Sequence, residues 1–275
     1  MTRSKFWLGT TTALTVLFAS LLGFSHAGEG AKPIRALLVI GGCCHDYAKQ
    51  KEILKQGIEA RARVEVTISY DPDKGVKHLN PVYESPQWSR GYDVIIHDEC
   101  CSGVVDLDII NRILEPHRRG LPAVVLHCGM HSYRSAGWPQ TTPWFEFTGL
   151  PSTGHGPQVP IAITYVDKES PITQGLADWT TIKEELYNNS SGSLLPTAHA
   201  LARGKQNTRS KDGKESTQDY VVTWTNTYAG KTRVFATTLG HNNETVEDAR
   251  YLDLVTRGLL WSVGKLDPAY LKSAK

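Results

Sequence analysis

The sequence predicts an α/β protein built on a mostly parallel sheet, on two observations. Short apolar runs alternate with helix-forming segments, and parallel sheets need such crossovers. Three of those runs end in a His/Cys cluster: Arg35-Ala-Leu-Leu-Val-Ile-Gly-Gly-Cys-Cys-His-Asp46, Tyr92-Asp-Val-Ile-Ile-His-Asp-Glu-Cys-Cys101 and Pro122-Ala-Val-Val-Leu-His-Cys-Gly-Met-His131. A fourth, Arg233-Val-Phe-Ala-Thr-Thr-Leu-Gly-His241, ends in a lone histidine. Parallel strands bring their C-terminal ends to one edge, where open α/β sheets bind ligands.

The elements follow in order. Arg3 and Lys5 precede an apolar stretch from Phe6 to Phe24, and Ser25-His-Ala27 fits a small-x-small cleavage site. Residues 1–27 therefore read as a signal peptide, with an uncleaved anchor as the alternative. Either way the remainder, residues 28–275, works outside the cytoplasm as one secreted or periplasmic domain. Ile34–Ile40 is a strand buried on both faces, and Gly41-Gly42 permits a sharp turn. Tyr47–Ala62 is a helix on the spacing of Ile53, Leu54 and Ile58. Val64–Ser69 alternates as a strand, and Asp71-Pro-Asp73 ends it. Residues 74–90 form a loop, Val94–His97 a strand, Asp106–His117 a helix closed by Gly120, and Ala123–Leu126 a central strand.

His131–Gly156 departs from alternation and reads as an aromatic insertion near the site. Ile161–Val166 is a strand, and Ser170–Leu176 a turn into a short helix. Residues 202–218 are polar and read as a mobile loop. Tyr220–Thr225 and Arg233–Leu239 form a hairpin pair. Glu244–Val263 is a single last helix, capped by Asn242 or Asn243.

The formal charge is +2, and Arg3 and Lys5 belong to the signal. The rest is near neutral, which argues against nucleic acid as a partner. The cluster Arg203, Lys205, Arg209, Lys211 and Lys214 alternates with Gly, Gln, Asn and Ser, as a solvated loop does. Contact with a membrane is expected only through the signal segment. The sequence leaves assembly as a homo-oligomer open.

Six histidines fall at or near the strand edge: His45, His97, His127, His131, His155 and His241. Imidazole titrates near working pH and serves as acid, base or metal ligand. Asp46, Asp98, Glu99 and Glu185 supply carboxylates. Two or three histidines with one carboxylate would satisfy a divalent metal such as zinc, although no helix carries His-Glu-x-x-His. His45, His127 and His241 are the catalytic candidates, with His97 either in the site or buried and orienting. Trp138, Trp144 and Tyr133 either pack the insertion or stack on sugar rings, with Arg134 binding hydroxyls. His78, His117 and His199 read as surface residues.

Cys43, Cys44, Cys100, Cys101 and Cys128 all sit at strand ends. Three readings stand: small buried residues filling tight turns, a bridge between the 43/44 pair and the 100/101 pair, or metal and redox chemistry. Adjacent cysteines rarely bridge each other, and five cysteines leave at least one unpaired.

Six segments together resemble the ThuA-like (trehalose utilisation) family over residues 34–264. They are the strand-Gly-Gly-x-x-His45 opening, Tyr92–His97, Val124–His127, Ser170-Pro-Ile-Thr-x-Gly-Leu176, Glu184-Glu-Leu-Tyr187 and Arg233-Val-Phe-x-x-x-Leu-Gly-His241. The resemblance implies a flavodoxin-like, class I glutamine amidotransferase-like fold, doubly wound with helices on both faces. It also implies a link to the catabolism of sugars, including keto-disaccharides. A carbohydrate is then the expected small-molecule substrate, bound by His97, Glu99, Arg134, Trp138, His155 and Glu185. A non-catalytic carbohydrate-binding protein is the alternative.

Cys128 stands where true amidotransferases carry their nucleophile, so a Cys128-dependent hydrolase or amidase is a third reading. Leu126 replaces the first glycine of that Gly-x-Cys-x-Gly turn, and Gly240-His241-Asn242-Asn243-Glu244 holds no His-x-Glu pair. ThuA-like chains present the histidine here, which favours His127.

Overall fold

The chain divides into two units, Met1–Gly30 and Ala31–Lys275. The computed structural model describes residues 1–2, 31–209 and 212–272. The signal segment expected over residues 1–27 lies, apart from Met1 and Thr2, outside the described residues. Among the described residues no helix is long and apolar enough to cross a membrane.

The second unit is an α/β structure on one nine-stranded sheet. Its strands are β1 (Ile34–Gly42), β2 (Val64–Asp71), β3 (Val94–Cys100), β4 (Ala123–Leu126), β5 (Val159–Tyr165), β6 (Trp179–Glu184), β7 (Ala198–Arg209), β8 (Glu215–Tyr228) and β9 (Thr232–Thr237). The order is β2-β1-β3-β4-β9-β8-β7-β5-β6. Pairings from β2 to β9 are parallel, and those from β9 to β6 antiparallel. The sheet is therefore mixed rather than mostly parallel. The helices are α1 (Tyr47–Arg61), α2 (Leu107–Arg118), α3 (Pro143–Thr148), α4 (Asn243–Glu247) and α5 (Ala249–Ser262).

The inner parallel strands β1 (from Ala36) and β4 are apolar on both sides, as strands sandwiched between two layers must be, whereas the edge strand β2 alternates. Ala36, Leu38 and Ile40 of β1 join Ile58 and Leu259 in one core, whereas Leu37 and Val39 join Ile110 and Trp144 in the other. This period-two split decides which side chain at each strand end reaches which face. Asp106 caps α2, its carboxylate accepting from the Asp108 and Ile109 amides at 2.8 and 3.3 Å. Asp106→Ala is expected to cost about 1 kcal/mol, read as a lower midpoint in urea unfolding with an unchanged slope.

Three expectations are corrected here. The polar stretch 202–218 is not a loop, since β7 and β8 pair through it as far as Arg209 and Glu215. Gln206, fully buried within this largely exposed stretch, ties β7 to its neighbours: its amide Nε2 donates to the carbonyls of Pro157, Val159 and Glu184 at 3.2, 3.0 and 3.1 Å. Ser170–Leu176 forms turns without a helix, and β6 follows it. The last helix is two helices, broken at Asp248, whose backbone is extended and whose carboxylate caps α5 by accepting from the Arg250 amide at 2.9 Å. Asn242 precedes α4 and makes no side-chain cap bond.

His117 is also corrected, being fully buried, and the His78 side chain is 6 % exposed. His199 is exposed.

Candidate functional site at the sheet edge

Three of the four strand-end histidines come together. His45 follows β1, His127 follows β4 and His241 follows β9, all at C-terminal strand ends. The ring of His45 lies 4.6 Å from that of His127 and 4.7 Å from that of His241, and the last two are 5.5 Å apart. Gly41 and Gly42 make the close approach of the first turn possible. Both have positive φ, and a Cβ on Gly42 would stand 2.5 Å from the Cys100 carbonyl oxygen. His127 itself has φ of 38°, a left-handed conformation unusual for its type and typical of functional turns.

Each ring is held differently. His127 Nδ1–H donates to the Thr238 carbonyl at 2.7 Å, which leaves a lone pair on Nε2. That nitrogen faces the Tyr187 hydroxyl at 3.4 Å and Glu185 Oε2 at 3.7 Å. Burial pushes His127 well below the ordinary imidazole range and His45 down to about 4, so both are neutral bases. His241 Nδ1 sits 3.2 Å from Glu185 Oε2, and this carboxylate partner raises its pKa against the cost of burial. Burial pushes Glu185 up, but its bond to His241 and the charge of His155 bring it below the usual carboxylate value. The Gln158 amide donates to Glu185 Oε1 at 3.2 Å and lies 2.8 Å from His241 Nε2.

Glu184, fully buried, turns back to accept from the His241 and Asn242 amides at 3.2 and 3.3 Å. It fixes the backbone that presents His241. Asp98 is 5 % exposed, and burial raises its pKa well above the usual range, keeping a neutral carboxyl at the end of β3.

The rim completes the arrangement. His155 Nε2 is 3.6 Å from Glu185 Oε2, with its side chain 42 % exposed. His131 stacks on the Tyr187 ring at 4.0 Å and bonds Ser152 Oγ through Nε2 at 2.8 Å. The Arg134 guanidinium lies over the Trp138 ring at 5.0 Å, and Trp138 borders a cleft of 550 Å³ with Thr153 and Ser190. His45 lines a smaller pocket of 230 Å³ with Tyr47 and Tyr70. A separate cleft of 770 Å³ lies at the opposite strand edge around Ile34, Asp93 and Pro122. None of the site histidines lines it.

His97 and Glu99 are the correction. Both are fully buried. His97 shares the face of Ile95 rather than that of Ile96, the expected outcome of strand alternation. His97 Nδ1 meets Glu99 Oε1 at 2.9 Å and Nε2 meets His117 Nε2 at 3.1 Å. Tyr83 and Tyr133 donate to the same Glu99 oxygen at 2.8 and 2.9 Å. This is an internal network under the aromatic insertion, closed to a substrate. Trp144 and Tyr133 likewise pack, and Trp144 Nε1 donates to the Gly129 carbonyl at 2.8 Å.

Tyr187, Gln158 and the Thr238 carbonyl escaped the residue-type argument, because each acts by position. Tyr187 carried a signal in following the Glu184-Glu185 pair.

Of the three readings of the cysteines, a bridge between the 43/44 and 100/101 pairs is not the pairing found. Cys43 bonds its neighbour Cys44, Cys100 bonds Cys128, and Cys101 is free and buried. Cys128 therefore offers no thiol nucleophile in this state.

Residues 35–262 match the family described as ThuA, trehalose utilisation. The chain belongs to the ThuA family. No curated protein matches it. Among solved structures it is similar to a ThuA-like protein of Parabacteroides merdae, with TM-score 0.62 and 22 % identity, covering 85 % of this chain and 91 % of that one. It is also similar to a ThuA-like protein of Bacteroides uniformis, with TM-score 0.59 and 15 % identity, covering 86 % and 94 %. At these identities the likeness carries the fold of this ThuA member and leaves its chemistry to the site.

Proposed function

We propose that this ThuA member is an exported enzyme of carbohydrate catabolism that moves a proton beside the carbonyl of a keto-sugar glycoside. The observation that carries the reading is the Glu185 carboxylate, set 3.2–3.7 Å from ring nitrogens of His241, His155 and His127, with His45 against the rings of His127 and His241. Imidazoles in contrasting environments divide acid from base. Neutral His45 takes the proton from the carbon beside the carbonyl. His241, held protonated by Glu185, returns one to the departing glycosidic oxygen. His127, pinned by Thr238, polarises or positions the reacting group, and Arg134, Trp138 and His155 contact the sugar from the rim.

Export through residues 1–27 to the periplasm or medium belongs to this proposal. So does the flavodoxin-like, doubly wound description, supported by the parallel order β2-β1-β3-β4-β9 with helices against both faces.

The test is turnover of 3-keto-glucosides and of trehalose by the purified chain. Binding without turnover would return the protein to the carbohydrate-binding reading. The pH profile should be bell-shaped. Activity rises as pH climbs through about 4, where His45 loses its proton. It falls as pH climbs through the raised pKa of His241, above the ordinary imidazole value of about 6.5. Glu185→Gln should move the alkaline limb to lower pH and carry the acid limb the same way, because the Glu185 charge raises His45 as well as His241; an unmoved alkaline limb would remove His241 from the acid role.

One observation favours a second reading. Ring nitrogens of His45, His127 and His241 lie within 4.8 Å of one another, the donor set of a three-histidine divalent metal site. The carbonyl bond to His127 Nδ1 is the outer-shell contact that metal-bound imidazoles make. Dialysis against a chelator separates the two. Acid/base chemistry survives it, whereas a metal site loses turnover and regains it with added zinc.

A further inference from the structure

The proposed proton transfer leaves the cysteines idle, yet four of their sulphur atoms meet beside the histidines. Cys43–Cys44 and Cys100–Cys128 are two disulfides, and Cys43 Sγ lies 3.4 Å from Cys100 Sγ. Exposure falls in one direction along this line. Cys44 is exposed and Cys43 half-buried, while Cys100 and Cys128 are 4 % and 5 % exposed. A reductant in solution can reach the first bond and not the second. At the inner end a His45 ring nitrogen lies within 4.8 Å of both Cys100 Sγ and Cys128 Sγ. Cys101 stays outside the line, because burial raises its thiol pKa and keeps it protonated.

We propose that these four cysteines form a thiol–disulfide relay that oxidises an external dithiol and uncovers the Cys128 thiol beside His45. A thiolate of the dithiol attacks Cys44 Sγ, forming a mixed disulfide, breaking the Cys43–Cys44 bond and expelling the Cys43 thiolate. That thiolate attacks Cys100 Sγ. The Cys43–Cys100 bond forms, the Cys100–Cys128 bond breaks, and Cys128 leaves as thiolate. The second thiol of the dithiol then resolves the mixed disulfide and expels Cys44. Two electrons and two protons pass from the dithiol, which becomes a cyclic disulfide, to Cys44 and Cys128. Each step is the ordinary in-line exchange of a thiolate at a disulfide sulphur, governed by access. The outcome is a thiol beside His45 that the resting chain lacks, and it does not depend on the sugar reaction.

The full chain, folded and without denaturant, is treated with one equivalent of dithiothreitol, alkylated and mapped by non-reducing peptide mass spectrometry. The relay yields label on Cys44 and Cys128 with a Cys43–Cys100 bridge. Label on Cys43 and Cys44 with Cys100–Cys128 intact would overturn it. Two variants sharpen the outcome. Cys44→Ser frees Cys43 from the start, so label should appear on Cys128 without any reductant. Cys44 Sγ also lies within 4.8 Å of Cys100 Sγ, so the double variant Cys43→Ser/Cys44→Ser cuts the relay, and release of Cys128 by dithiothreitol should slow by about tenfold or more. Release at the wild-type rate in the folded double variant would overturn the proposal, and the wild-type map decides the matter if either variant fails to fold.

Discussion

His127→Ala lowers turnover by on the order of 10²-fold or more, the usual worth of a positioned acid/base group, and leaves the far-ultraviolet circular dichroism unchanged. The ring ends the most buried parallel strand, is 2 % exposed, and is pinned by the 2.7 Å bond to Thr238. Its other nitrogen is directed to the place shared by Glu185 and Tyr187. Alanine removes the lone pair and leaves the Thr238 carbonyl without its donor, yet it keeps the strand. His241→Ala should act on turnover to a similar degree, because it removes the protonated partner of Glu185. Steady-state kinetics on a keto-glucoside decide the point. If both variants fold and turn over at the wild-type rate, the imidazole cluster is not the reacting centre.

Trp144→Ala should produce the largest loss of stability, about 3–5 kcal/mol for deleting a buried tryptophan. Its ring has no exposure and lies 4.5 Å from Tyr133, 5.0 Å from Phe147 and 5.4 Å from His97. Its indole N–H satisfies the Gly129 carbonyl, inside the 3₁₀ turn His127–His131 that carries the catalytic candidate. The variant therefore opens a cavity and orphans a carbonyl under the site. Urea unfolding should show the loss, and the surviving folded fraction should have reduced turnover. Retention of both wild-type values would mean the insertion does not support the turn.

The parallel half of the sheet was legible because a strand buried on both faces has to be apolar throughout, as Ala36–Ile40 and Ala123–Leu126 are. The antiparallel half was legible only in part, in the β8–β9 hairpin and in β5, and not in β6 and β7. Residues 202–218 are polar because β7 and β8 are long and solvated along much of their length, with Arg203 and Asp219 paired 2.7 Å apart on the surface. Nothing local to that segment announces that Gln206 will close three carbonyls from other elements. Trp179–Glu184 shows the same limit, since its alternation is short and interrupted.

By itself the sequence determined which chemistry is available. It set imidazoles and thiols at the ends of strands, and parallel pairing then obliges those ends to share an edge. Tertiary structure decided which of them meet. Strand alternation sent His97 and Glu99 to the face of the aromatic insertion, while turns after β1, β4 and β9 brought His45, His127 and His241 together. The pairing of the cysteines and the neutral state of His127 are of the same kind. Both depend on distances and burial set by residues far apart in the chain, which residue type and spacing do not encode.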